Sequence, residues 1–119
     1  MEKSKILEAV KVAYDAIDDK MGTDVVMLDI SEVSVLADYF IIATGSNSNQ
    51  LKAIADHLQD KLGAIGVHQR SMEGAQTARW ILIDFGHIIV HLFHTEDREY
   101  YRLDKLWADG VQILPEELV

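Results

Sequence analysis

Three histidines close together, His87, His91 and His94, are the first residues in this chain whose types suggest chemistry. If the run Ile88 to His94 is a strand, His87 and His91 stand about 13 Å apart at roughly 3.3 Å per residue, and His94 points to the opposite side. Zinc draws its ligands to about 2 Å from one centre, so these three do not chelate together. The chain has no cysteine, which removes thiolate nucleophiles, cysteine-rich zinc sites and disulfides.

The turn Gly45-Ser46, between an apolar run and a helix start, offers backbone amides to a phosphate and echoes the Gly-Ser element of nucleotidyltransferases. Such enzymes also need paired carboxylates on a neighbouring strand to hold magnesium, and here the hairpin offers only Asp84. No Gly-Lys-Ser/Thr follows, so a Walker loop is excluded. Asn47 with Gln50 three residues later gives the simpler account, a capped helix start. There is no Gly-x-Ser-x-Gly elbow, and Asp84 with His91 lacks a third member for a triad. His57 flanks a helical apolar stripe and reads as a boundary residue. These residues require no catalysis, cofactor or metal. A small nucleotidyltransferase-like enzyme using the Gly45-Ser46 turn stands as the alternative.

The richer signal is a hairpin. Gly86-His87 separates two strand-like runs, Arg79 to Phe85 and Ile88 to His94, and a Gly-X pair in that place specifies a two-residue loop with a type II′ turn. The register then pairs Phe85 with Ile88, Ile83 with Val90 and Ile81 with Leu92 on one apolar face, which should meet helices. The other face pairs Asp84 with Ile89, Leu82 with His91 and Trp80 with Phe93. With helices on one side only, Trp80, Leu82, Ile89 and Phe93 form an exposed apolar patch, and such patches mark interfaces, with Trp the residue most enriched among hot spots. The competing expectation is that the terminal helix folds back and buries this face as ordinary core.

The elements that must position this hairpin follow from periodicity. Ile6, Val10, Ala13 and Ile17, joined by Leu7 and Tyr14, keep a 3.6-residue period, with Ser4 as N-cap and Gly22 beyond the end. Asp24 to Ile30 reads as a strand, and Tyr39 to Ala43, apolar on both faces, as a central one. A second helix carries Leu51, Ile54, Ala55, Leu58, Leu62 and Ile65, with Gly66 as its stop. A short strand is predicted over Val67 to Met72. Thr95 is predicted to cap a helix over Glu96 to Tyr101, followed by Leu103 to Trp107. The fold class is α/β: a mixed sheet of about five strands flanked by helices.

The 119 residues make one domain, with 49% hydrophobic and 26% charged residues, a balance that excludes disorder and low complexity. No apolar run approaches the roughly 18 residues of a spanning helix and no signal peptide is evident, so a cytoplasmic protein without membrane contact is expected. Twenty Asp and Glu against eleven Lys and Arg leave a net charge of -9. That surface repels phosphate backbones, which excludes free nucleic acid as a first partner, and attracts a basic protein. Acidity also serves solubility alone.

Six blocks in order carry a family resemblance: residues 37–45, Gln50 with Ala53-Ile54-Ala55, Met72-Glu73-Gly74, residues 78–84, Val90 to His94, and residues 98–107. Together they closely resemble the ribosomal silencing factors, also called the Iojap family, over about residues 4 to 109. This places a family domain at 1–109 and a tail at 110–119. The resemblance implies a non-enzymatic factor that docks on the large ribosomal subunit through the basic large-subunit protein fourteen, sterically prevents joining of the small subunit and represses translation when nutrients are scarce. It implies a fold distantly like nucleotidyltransferases but without their carboxylate pair, and self-association into homodimers. The partner-binding residues it points to are Trp80, with Asp84, His91 and Tyr101 from the same motifs; the hairpin adds Leu82, Ile89 and Phe93. One departure is the turn, usually Gly-Asp in the family and Gly86-His87 here, which changes a turn charge and leaves the patch intact.

Overall fold

The amphipathic period of the first segment becomes helix α1, Lys3–Asp19, which buries Ile6, Ala9, Val10, Ala13, Ala16 and Ile17. The structure, a computed structural model, describes residues 2–77, 79–97 and 110–118. Ser4 is not the N-cap. The Glu2 carbonyl already accepts from the Lys5 and Ile6 amides, so the helix starts at Lys3 and Ser4 lies in its first turn. At the other end Gly22 is required by closeness: a Cβ there would fall 2.5 Å from Ile17 Cγ2.

Strand β1, Thr23–Asp29, leads to β2, Tyr39–Gly45, which is buried along its whole length. Helix α2, Ser48–Ala64, follows and buries Leu51, Ile54, Ala55, Leu58 and Leu62. Ile65, predicted in that stripe, is instead the C-cap and 43% exposed. The chain then forms β3 at Ser71–Glu73, β4 at Trp80–Asp84, β5 at Ile88–His94 and β6 at Val111–Ile113. The third strand starts later than predicted because residues 65–67 still close α2: Gly66 takes φ +82 and the Val67 amide bonds to the Leu62 carbonyl.

The sheet runs β3-β4-β5-β2-β1-β6. Among the described residues only β2 and β5 are parallel, and every other pair is antiparallel. This is the predicted mixed sheet with six strands rather than about five. The sixth is Val111–Ile113, from the segment assigned to a tail, which pairs with Met27 to Asp29. Helices α1 and α2 cover one face, where Met27, Tyr39, Ile41, Ala43, Ile81, Ile83, Ile88, Val90 and Leu92 form a single core with their stripes. Each fully buried Leu or Ile there contributes roughly 1.5–3 kcal/mol.

The hairpin register is the predicted one, from Trp80 opposite Phe93 to Asp84 opposite Ile89. Its loop closes through the Phe85 amide on the Ile88 carbonyl at 2.9 Å. Gly86 has φ +92 while His87 keeps a negative φ, the signature of type II′. After β5 the Thr95 hydroxyl donates to the Gly45 carbonyl at 2.9 Å and His94 Nδ1 accepts the Glu96 amide. A 3-10 turn at Thr95–Asp97 results. The predicted helix beyond it, the segment 103–107 and Tyr101 lie outside the described residues.

Candidate functional site

Strand parity sends a second set of side chains to the face opposite α1 and α2. β4 contributes Trp80, Leu82 and Asp84, β5 contributes Ile89, His91 and Phe93, and β2 contributes Phe40 and Ile42 through its register with β5. Beyond them Leu28, Ile30, Ala37 and Phe40 form a smaller apolar cluster joined by Val26 and Ile89. Four of the predicted site residues, Trp80, Leu82, Asp84 and Ile89, are half-buried on this face. The other two described ones are inside it: His91 is 5% exposed and Phe93 fully buried.

The rings on this face make one ordered group. Trp80 stacks on Phe93 with centroids 5.0 Å apart and 29° between planes, and His91 lies parallel to Phe93 within 8° at 6.3 Å. Phe40 meets the His91 ring edge-on at 5.0 Å. Such aromatic contacts contribute about 0.5–1.5 kcal/mol each beyond area burial. Trp80 Nε1 donates to His91 Nδ1 at 3.1 Å. An indole N–H can only donate, so Nδ1 is bare and the neutral imidazole carries its proton on Nε2. Burial agrees, pushing His91 down from 6.5 to about 4. His91 Nε2 is buried with no partner among the described residues, a condition that costs about 1–3 kcal/mol.

Asp84 is less free than its sequence suggests. Its Oδ1 accepts the Gly86 amide at 2.7 Å, so the carboxylate shapes the hairpin turn as well as charging the face. The turn is tied to β2 by His87, whose Nδ1 lies 2.7 Å from Asp38 Oδ2 and whose carbonyl accepts the Asp38 and Tyr39 amides.

Three positioning residues escaped the sequence. Gly74, at φ +85, lies so close to Trp80 that an added Cβ would overlap the Trp80 carbonyl oxygen. Arg79 grips both Asp97 oxygens, at 2.9 and 3.1 Å, fixing the exit from β5 against the start of β4. Phe40 backs His91; its parity in Tyr39–Gly45 was the available signal. Strongly exposed apolar side chains also occur outside the strands, Val35 and Leu36 in the loop before β2 among them.

The Gly45-Ser46 turn is filled by the protein itself. Gln50 Oε1 accepts from the Ser46 amide at 2.7 Å and from its hydroxyl at 3.0 Å, while the Gln50 amide is capped by Asn47 Oδ1 at 2.8 Å. Gln50 Nε2 bonds in turn to the Lys20 and Met21 carbonyls. These bonds occupy the Ser46 and Gln50 amides, two of the donors at this helix start. His57 pairs with Asp19 at 3.0 Å and so joins α2 to α1. Among the described residues no group of three His, Asp or Glu side chains is placed to hold a metal, and no helix is long and apolar enough to cross a membrane.

The family model "Ribosomal silencing factor during starvation" matches residues 3–118. The chain is 43% identical over 100 residues to the ribosomal silencing factor RsfS of Bacillus subtilis, covering 84% of this chain and 85% of that one. A crystal structure of a Chromobacterium violaceum protein superposes with a TM-score of 0.85 at 37% identity, covering 91% of this chain and 88% of the other. A more distant mouse relative, named mitochondrial assembly of ribosomal large subunit protein 1, is 29% identical over 88 residues, which span 71% of this chain and 39% of that protein. The chain belongs to the ribosomal silencing factor family, whose members are named as regulators rather than enzymes.

Proposed function

We propose that this chain represses translation by docking on the large ribosomal subunit through the sheet face centred on Trp80. One observation carries the reading: the face opposite α1 and α2 holds half-exposed Trp80, Leu82 and Ile89 over buried Phe93 and His91. A rigid aromatic anchor among apolar neighbours is the make-up of an interface core. Family membership supports a ribosomal role, and the mouse relative's name supports the large subunit.

The partner surface in this proposal is the basic large-subunit protein fourteen. Net charge -9 disfavours ribosomal RNA and favours a basic protein. Asp84 keeps its Oδ2 for a lysine or arginine while Oδ1 holds the turn. Bound there, the body of the domain obstructs small-subunit joining, in the cytoplasm where ribosomes assemble. Homodimers through the same face compete with docking. Incubating the chain with separated subunits tests the reading: it predicts co-sedimentation with large subunits and fewer joined ribosomes. Joining at the normal rate with saturating chain present contradicts it. Light scattering over a concentration series tests the dimer, and a strict monomer removes it.

A further inference from the structure

Trp80 is held from two sides in the free protein. Its ring is stacked on Phe93 and its N–H bonded to His91 Nδ1, while Gly74 lies against its carbonyl. His91 is too deeply buried to offer its own polar atoms to a partner. We propose that His91 is a positioning residue for binding: it fixes the Trp80 indole in its docking orientation and uses up the indole N–H internally. This inference rests on the docking reading above. It assigns His91 to support rather than to contact, and it sets the chemistry of the partner's pocket, which must be apolar and needs no acceptor for the indole.

Two features make the arrangement suited to this task. The imidazole is the neutral Nε2–H tautomer, so Nδ1 is always available as an acceptor at neutral pH. Its ring is in turn fixed by Phe40 on one edge and by Phe93 alongside. A side chain ordered before binding spares the entropy of ordering it afterwards, about three- to tenfold in affinity for one large side chain.

The test is nuclear magnetic resonance on the native chain, with the Trp80 indole signal separated from that of Trp107 by Trp80→Phe. A coupling between the indole nitrogen and the bare nitrogen of one histidine is expected, together with slow exchange of the indole proton. His91→Phe keeps the ring and removes the acceptor; it should lose the coupling, speed exchange at least about tenfold and weaken binding to purified large subunits by about three- to tenfold. His91→Asn, whose side-chain oxygen reaches the Nδ1 position, should restore protection and part of the affinity. No coupling in the native chain, or equal protection in native and His91→Phe, overturns the proposal, and the native measurement decides it even if a variant fails to fold. Equal affinity of native and His91→Phe for large subunits overturns the binding role. A native chain that binds no large subunit overturns the docking reading, while the resonance data still decide whether His91 holds the indole.

Discussion

Acidification should strike the aromatic face before the helical core. Burial lowers His91 from 6.5 to about 4, so the unfolded chain takes up this proton at a higher pH than the folded one does. Stability therefore rises with pH across the interval: above about pH 6.5 the group has no effect, and as pH falls it increasingly favours the unfolded state. The 2.5-unit gap amounts to roughly 2 kcal/mol by pH 5 and about 3 kcal/mol by pH 4, at 1.36 kcal/mol per unit. The native domain resists unfolding by only about 5–15 kcal/mol, so the loss is large enough to read. Protonation in the folded chain also places a proton on Nδ1 and removes the acceptor for Trp80 Nε1, so near-ultraviolet circular dichroism of the native state should hold to about pH 5 and change as pH falls through about 4. Urea unfolding at pH 7, 5.5 and 4.5 checks this in native and His91→Phe chains. Every other ionisable group is common to the two chains, so the difference between them isolates His91. It should shift by roughly 2 kcal/mol in favour of the variant between pH 7 and pH 4.5. A difference independent of pH refutes the buried, neutral assignment.

Other substitutions separate fold from site. Gly74→Ala meets both a positive φ and the Trp80 carbonyl; it should lower stability by about 2 kcal/mol or more in urea titration. Phe93→Ala removes a fully buried ring under Trp80, and calorimetry should show a loss of about 3–5 kcal/mol. Asn47→Ala removes the cap on Gln50 and should cost about 1 kcal/mol by the same measurement, without affecting ribosome binding.

The hairpin was legible because two facts fix everything downstream of them. A Gly-X loop of two residues sets the register, and strand alternation then assigns each side chain from Trp80 to Phe93 to a face. The helical stripes were legible for the same reason, a regular period read against burial. What escaped depends on groups distant in sequence. Trp80 bonds to His91, two residues before its register partner Phe93 on β5, and a face assignment does not show how an indole reaches diagonally across strands. β6 has only three residues, too few for a period to identify, and is formed by pairing with β1 some eighty positions earlier. Thr95 was read only as a cap, yet its hydroxyl also donates to the Gly45 carbonyl fifty positions earlier, a contact no local pattern shows. Gly74 carries no sign in the sequence that a carbonyl from β4 occupies the space beside it.

Trp80→Ala decides between a docking face and an ordinary core most directly. Trp80 is half-buried and Phe93 beneath it supplies the core packing, so the substitution should leave a folded, cooperative domain. Co-sedimentation of native and Trp80→Ala chains with purified large subunits should show a loss of at least about thirtyfold in affinity, equivalent to the roughly 2 kcal/mol of an interface hot spot. A folded Trp80→Ala chain that sediments with large subunits at native affinity contradicts the account.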